Sequence, residues 1–262
     1  MNAYMEQIRS RKVERGTVAL WWLGQTGFVF KTPRGAVFSI DAYLTNSCEP
    51  LGKQLGMNLT RKVPVFIPPA EFSVDYFVCT HSHQDHADPE TIAAVPQQSM
   101  EFIGPGLACE VFARCGVAPG RTRQIYAGGR QEFADVRLHG TFALPTDDTD
   151  LNHLGYVVEV EDGPRIYVTG DTDYSDLLAH VASLRPQLMI TCINGGFNNL
   201  SHWEAADLAR LVQPRAAIPC HYDMFPDNYQ DPEMFRAGLV YKAPRVRYCR
   251  LEHAQPFVFR AD

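Results

Sequence analysis

The sequence predicts an α+β protein in which two β-sheets pack against each other between layers of helices. The order of the predicted elements supports this class, because the early strands are joined by tight turns and the later strands alternate with helices. Length and composition agree with it: 262 residues, 45% hydrophobic and 21% charged, are typical of a soluble globular chain. We expect a single domain that spans residues 1–262.

The first part of the chain predicts β-hairpins. Apolar strand patterns occur at 18–24, 26–31 and 36–41, and a turn with Pro and Gly separates the last two at 32–35. A longer connection then leads into a short apolar run at 75–80, which predicts a buried strand.

The second part of the chain alternates between helices and strands. Helices are predicted at 106–116 and at 202–212, and Ser201 and Glu204 have the spacing of a capping box at the start of the second one. The strands predicted here are, in order, 123–129, 135–144, 155–160, 165–170, 187–193 and 216–220. The tail then returns to helix and strand.

Charge and cysteine content narrow the classes of function. A net charge of −6 argues against broad electrostatic binding of nucleic acid, although a small phosphorylated ligand is still allowed. No stretch approaches the ~20 apolar residues of a membrane-spanning helix, and the polar start does not resemble a signal peptide, so we expect a cytoplasmic protein without membrane contact. The seven cysteines form no CxxC pair, which argues against a disulfide framework or a thiolate zinc site.

Three predicted strands end in residues that can bind a metal. The strand at 75–80 is followed by His81, the strand at 165–170 by Asp171, and AAIPC (216–220) by His221. Reactive groups in layered folds gather at the carboxyl ends of strands, where loops converge. We therefore expect these side chains to meet at one edge.

The strongest local pattern is HSHQDH at 81–86, in which four of six residues can bind a metal. Imidazole and carboxylate together suit Zn²⁺, Mn²⁺ or Fe²⁺. An exposed polar turn would explain Ser82 and Gln84, but it would not explain three histidines and an aspartate directly after an apolar strand. Asp171 alone is a weak signal, since Asp often forms turns, but beside this motif it is the natural carboxylate to bridge two cations.

The chain resembles the metallo-β-lactamase fold hydrolases in three motifs that occur in this order: HSHQDH, GDTD (170–173) and PCHYD (219–223). More narrowly, it resembles the L-ascorbate-6-phosphate lactonase family in the segments WWLGQTG (21–27), FIGPG (102–106), GDTDYS and PCHYDMFPDN. The resemblance implies a four-layer αββα sandwich of two mixed sheets, with a metal site at their shared edge.

The resemblance also implies two divalent metal ions, with Zn or Mn expected. The implied metal ligands are His81, His83, Asp85, His86, His153, Asp171 and His221. His153 is our choice for the third ligand of the first ion, with His139, Asp147 and Asp148 as alternatives. Asp41, at the end of an early strand, is implied to orient a ligand histidine; an ordinary turn is its alternative role.

The expected chemistry is hydrolysis of a small lactone or ester, phosphorylated or not, by a metal-bridging hydroxide. Asp85 and Asp171 are the expected catalytic residues, Asp85 handling protons. The expected substrate contacts are Trp22, Thr26, Asn194, Asn198 and His202, with packing and turn formation as the alternative roles in these segments.

Two other functions remain open at this point. A metal-dependent phosphodiesterase or nuclease would use the same ligands, but a nuclease would be expected to carry a basic face or an added domain. A binding or scaffolding protein could keep the metal site without catalysis. We expect a small-molecule substrate and no nucleic-acid partner, and we leave homo-oligomers open.

Overall fold

A computed structural model of the chain describes residues 2–261 and contains two seven-stranded sheets. The first sheet consists of β1 (Thr17–Gly24), β2 (Gly27–Lys31), β3 (Val37–Ile40), β4 (Tyr76–Val78), β5 (Glu101–Gly104), β6 (Thr122–Gln124) and β14 (Phe257–Arg260). The second sheet consists of β7 (Arg130–Phe133), β8 (Val136–Phe142), β9 (Leu154–Val160), β10 (Arg165–Val168), β11 (Leu188–Cys192), β12 (Ala216–Cys220) and β13 (Arg247–Tyr248).

Both sheets are mixed, and each is antiparallel in one half and parallel in the other. In the first sheet, in the order β14-β1-β2-β3-β4-β5-β6, the pairs up to β3 are antiparallel and the later pairs are parallel. In the second, in the order β13-β12-β11-β10-β9-β8-β7, the pairs among β7 to β10 are antiparallel and the rest are parallel.

Helices cover the outer face of each sheet. The α-helices of the chain are α1 (Ala3–Ser10), α2 (Cys48–Leu55), α3 (Pro89–Ala94), α4 (Gly106–Arg114), α5 (His202–Val212) and α6 (Pro232–Lys242), and a long 3₁₀-helix spans Asp176–Leu184. Residues of α1, α3 and α4 share an apolar cluster with the outer face of the first sheet, and α5 and α6 pack against the second. The structure thus confirms the predicted αββα sandwich.

Strand β1 shows why the core residues do not alternate with polar ones along the sequence. All eight of its residues are buried, because Leu20 and Trp22 face the core between the sheets while Ala19 and Trp21 face the helix layer. A strand that is covered on both faces has a nearly continuous run of apolar residues in its sequence.

The sequence-based boundaries hold for most of the predicted strands, and one prediction is wrong. The strand expected at 123–129 ends at Gln124, because the chain turns back at Tyr126, whose carbonyl accepts a hydrogen bond from Gly129 at 2.8 Å. Gly128 adopts a φ of +81°, which favours glycine and interrupts the strand. Among residues 2–261, no helix has both the length and the apolar surface needed to cross a membrane.

Candidate metal centre

The predicted ligands gather at one edge of the two sheets. His81 follows β4, Asp171 follows β10 and His221 follows β12 directly, so all three lie at carboxyl ends of strands. His153 lies just before β9, which runs antiparallel to β10, so its position is at the same edge. The topology therefore brings together residues that are up to 140 positions apart in sequence, the separation of His81 and His221.

Three histidines form the first ligand group. His81, His83 and His153 each place one ring nitrogen within 4.8 Å of the others. His81 and His153 are fully or nearly fully buried with ring centroids 3.9 Å apart, whereas His83 is partly exposed. This group could hold one metal ion through imidazole nitrogens alone.

Asp85, His86 and His221 form the second ligand group, again with ligand atoms within 4.8 Å of one another. Asp171 contacts the second group and lies close to His81 of the first. Its Oδ1 lies 3.4 Å from His86 Nε2 and its Oδ2 lies 3.1 Å from His221 Nε2, and it also clusters with His81. Asp171 is thus placed between two candidate ion positions.

One buried carboxylate orients a histidine in each group. Asp41 Oδ2 accepts a hydrogen bond from His86 Nδ1 at 2.8 Å and another from the Thr80 hydroxyl at 2.7 Å. Since the Thr80 hydroxyl donates to Asp41, it accepts from His81 Nδ1 at 3.0 Å. Both rings therefore carry their proton on Nδ1 and turn Nε2 toward the centre.

Asp171 is held in a similar way. Its main-chain oxygen lies 3.0 Å from His153 Nδ1, which donates to it, and its Oδ2 accepts from Asn199 Nδ2 at 2.8 Å. Gly170 makes the approach possible: its φ is +63°, and an added Cβ would lie 2.6 Å from the carbonyl oxygen of Leu154. A larger residue could not take this turn without moving the strand.

Several polar atoms at the centre are buried without a hydrogen-bond partner. They are Nε2 of His81, His86 and His153, and Oδ1 of Asp171. Burying such atoms unpaired costs about 1–3 kcal/mol each. Each is a lone-pair donor suited to a divalent cation, so the residues present fit the metal ions that the fold implies.

The pKa shifts divide the histidines into two kinds. Burial lowers the pKa of His81 and of His153, which favours neutral rings that can bind a cation. Burial opposes protonation of His86 as well, but the surrounding carboxylates, led by Asp171, raise its pKa well above the ordinary value. For His221, the carboxylates of Asp171 and Asp85 outweigh burial and raise the pKa to about 9.

The centre opens toward solvent at His83 and Asp85, whose side chains are 23% and 20% exposed. His83 Nε2 lies 3.1 Å from Thr149 Oγ1 and 3.4 Å from Asp147 Oδ2, both on the acidic loop before β9. Thr149 in turn donates to Asp147 at 2.6 Å. This loop supports the more exposed ring of the first group, which leaves His83 Nδ1 for a metal.

Three residues of the centre have a strained backbone conformation. Gln25, Asp41 and His221 have φ values of 49°, 51° and 60°, in the left-handed region that non-glycine residues seldom adopt. Such conformations cost on the order of 1–3 kcal/mol and persist where the surrounding structure holds them, typically at functional sites.

The structure distinguishes between the candidates for the third ligand of the first ion. His153 lies with His81 and His83. His139 lies instead on β8, where its Nε2 contacts Glu159 at 3.2 Å. Asp147 contacts His83 from outside the group, and Asp148 has no place among the clustered ligand atoms of residues 2–261.

Three of the residues that are expected to contact substrate make contacts within the protein. Trp22 and Thr26 have no exposed surface, which agrees with the alternative role of packing, and their contact with a substrate stays a prediction. Trp22 Nε1 donates to the carbonyl of Gln25 at 2.8 Å. Asn198 donates to the carbonyl of Thr146 at 2.7 Å, so its amide joins two loops.

The other two residues predicted to contact substrate lie close by. Asn194 uses its amide to bond Gly196 and Asn228, and it is nearly buried. His202 begins α5 and is partly exposed.

Several residues that shape the centre were not identified from the sequence. They are Gln25, Thr80, Thr149, Asn199 and Asn228. Thr80 directly precedes the HSHQDH motif, which is a usable signal for a supporting role. The other four act through tertiary contacts that no local pattern indicates.

Fold and centre together define a metal-dependent hydrolase. Residues 19–221 match the family described as the beta-lactamase superfamily domain, and this chain belongs to that superfamily. It is 30% identical to a UPF0173 metal-dependent hydrolase of Anaeromyxobacter dehalogenans (strain 2CP-1) over 264 residues, which cover 95% of this chain and 89% of the relative.

A second group of relatives supports the narrower resemblance. The chain is 26% identical over 285 residues to a Salmonella heidelberg protein named "Probable L-ascorbate-6-phosphate lactonase UlaG", with 93% of this chain and 80% of the relative covered. Among solved structures, the metallo hydrolase Igni18 of Ignicoccus hospitalis has a TM-score of 0.73 at 21% identity, covering 93% of this chain and 99% of the other. The isothiocyanate hydrolase from Delia radicum gut bacteria has a TM-score of 0.72 at 14% identity, with the same coverage.

Proposed function

We propose that this protein uses two divalent ions, Zn or Mn, to hydrolyse a small lactone or carboxylic ester, with or without a phosphate group. The observation that carries the proposal is the position of Asp171, whose carboxylate contacts His86 and His221 of the second group and lies within 4.8 Å of a ring nitrogen of His81 in the first. The likeness to a named lactonase supports the substrate class.

The ions would supply Lewis acidity at the ester carbonyl. They would also lower the pKa of a bound water, so that it could attack the carbonyl as hydroxide near neutral pH. The residues of the chain hold this arrangement in place. Asp41 and Thr80 fix the tautomer of His81 and His86, so that their Nε2 atoms converge without rearrangement. A preorganised centre of this kind lowers the barrier because its groups need not reorient during the reaction.

Asp85 is the carboxylate of the centre that reaches solvent. Its Oδ2 faces Gln25 and His221, at 2.7 Å and 3.4 Å, so Oδ1 is the atom placed to take a proton from the attacking water and return it to the leaving oxygen. Contacts to the nearby His86 and His221 keep the pKa of Asp85 low despite its burial, so the carboxylate is ionised and can bind a cation or accept a hydrogen bond from the attacking water.

A substrate panel on metal-loaded protein tests this function. The panel should contain lactones with and without a phosphate group, simple esters, and bis(p-nitrophenyl) phosphate. We expect lactone or ester hydrolysis, and we expect His86→Ala to lose more than about 100-fold in rate, since a metal site supplies several kcal/mol of transition-state stabilisation. Metal content should fall in the same variant.

His180→Ala is the matched control, because His180 lies on the 3₁₀-helix away from the ligand groups. It should retain wild-type activity and metal content. Turnover of the phosphodiester without any lactone or ester hydrolysis would favour the phosphodiesterase alternative. Full activity of a folded His86→Ala protein would contradict the mechanism.

A further inference from the structure

Gln25 reaches the second ligand group from the turn between β1 and β2. Its side chain has no exposed surface. Its amide nitrogen Nε2 lies 2.7 Å from Asp85 Oδ2 and 3.1 Å from His221 Nε2. These are the two atoms by which Asp85 and His221 approach each other, at 3.4 Å. The amide therefore lies directly against the atoms that would hold the second ion.

The main chain of Gln25 is fixed to both sides of the centre. Its carbonyl oxygen accepts hydrogen bonds from Trp22 Nε1 at 2.8 Å and from the main-chain N–H of His221 at 3.1 Å. Its φ of 49° is strained, which indicates that the surroundings hold this conformation. The side chain is thus kept at the second ligand group, and its main remaining freedom is rotation of the terminal amide.

The amide oxygen Oε1 is the unexplained atom of this residue. It has no hydrogen-bond partner, although the side chain is fully buried and water does not reach it. A cation held by Asp85 and His221 would repel the amide N–H groups and attract a carbonyl oxygen, and amide carbonyls are ordinary ligands of hard divalent cations. Rotation of the amide would exchange the two atoms and bring Oε1 to the ion.

We propose that Gln25 is a further ligand of the second metal ion, through Oε1. This inference rests on the two-ion centre of the proposed function, and it adds to that centre an amide from the first sheet. It also explains why a polar residue is buried in the apolar segment WWLGQTG, beside side chains that pack in the core.

Two substitutions separate the ligand role from a supporting role. Gln25→Met keeps the length of the side chain but removes both polar atoms, and Gln25→Glu keeps an oxygen but removes the N–H donor. With Mn²⁺ as the probe, calorimetric titration and metal analysis after dialysis would give the affinity and number of bound ions. We expect Gln25→Met to bind the second ion at least about tenfold more weakly, with the first ion unchanged, and Gln25→Glu to bind it as tightly as wild type or more so.

Gln97→Met is the matched control, because the Gln97 amide bonds the carbonyls of Ile92 and Cys115 away from the ligand groups. It should bind both ions as wild type does. Loss of the second ion in Gln25→Glu would overturn the ligand role, because the essential feature of Gln25 would then be the N–H group that donates to Asp85. Two ions bound equally by wild type and Gln25→Met would also overturn it, whereas a single ion in wild type would contradict the two-ion centre itself.

Discussion

At the scale of single residues, the centre depends on side chains that position the ligands. Asp41 is the clearest case, because three donors converge on its buried carboxylate: the main-chain N–H and the hydroxyl of Thr80, and Nδ1 of His86. Through Thr80 the same carboxylate also fixes the ring of His81. One residue thus sets the orientation of a histidine in each ligand group.

Replacing Asp41 by Asn should therefore weaken metal binding, although Asp41 itself is not a metal ligand. An amide offers one acceptor oxygen and turns an NH₂ toward a donor, so one of the three hydrogen bonds is lost and a ring is released. We expect metal affinity to fall about 10–100-fold and stability to fall by about 1–3 kcal/mol. Competition titration against a chelator and thermal unfolding would measure the two effects.

Asp88→Asn is a suitable comparison for this variant. Asp88 is as buried as Asp41 and accepts hydrogen bonds from Thr45, Ser47 and Thr91, but it caps α3 instead of orienting a ligand. It should lose stability and keep its metal affinity. Equal loss of affinity in both variants would mean that the effect of Asp41 is only destabilisation.

The residue scale also shows what sequence reasoning could reach. The HSHQDH motif, Asp171 and His221 each follow an apolar run, so a pattern of strand ends indicated them before their contacts were known. Gln25 and Asn199 carry no such local mark. Their roles arise from hydrogen bonds to Asp85 and Asp171, which are 60 and 28 residues away in sequence, and only the folded chain defines those pairs.

At the scale of secondary structure, the strands were easier to predict than the helices. The runs at 18–24 and 187–193 are long and apolar, and the structure has β1 and β11 there. The helices α1 and α3 have only eight and six residues, too few for a clear helical period, and their stability comes from packing on the first sheet.

Strand β9 carries an ionic cluster that gives an element-scale prediction. Glu159 contacts His139, Arg137 and Arg165 on its neighbours at 3.2, 3.3 and 3.1 Å. Burial alone would raise the pKa of Glu159, but these partners lower it to about 2. Because the pKa of Glu159 is lower in the folded chain, its charge stabilises the fold above the unfolded pKa, and this contribution is lost as pH falls toward 2.

Glu159→Gln should accordingly be less stable than wild type at pH 7, by on the order of 1 kcal/mol once solvent screening is allowed for. The difference should shrink as pH falls below about 4.5. Urea denaturation of the metal-free proteins between pH 7 and pH 3 would measure it. Glu161→Gln, which removes a far more exposed pair with Arg34, should show almost no effect, and a difference in Glu159→Gln that does not change with pH would exclude a charge effect.

At the scale of the whole molecule, the fold brings buried ligand groups together at the cost of unpaired polar atoms. The Nε2 atoms of His81, His86 and His153 and Oδ1 of Asp171 come from three different connections of the two sheets, and without a cation they stay unsatisfied. A metal ion that binds the folded chain and not the unfolded chain must therefore stabilise the fold. Removal of the metal should lower the stability of the edge where both sheets meet.

The two ligand groups should differ in how metal binding depends on pH. Burial lowers the pKa of His81 and His153, so at neutral pH the first group binds an ion without displacing protons from them. In the second group, the carboxylates raise the pKa of His86 and raise that of His221 to about 9, so an ion must displace protons from both rings. Its affinity should fall at least about tenfold for each pH unit below 9. Calorimetric titration at pH 6 and pH 9, in buffers of different ionisation enthalpy, should give one tightly bound ion at pH 6 and two at pH 9, with proton release confined to the second. Parallel weakening of both ions on acidification would contradict this division of the centre.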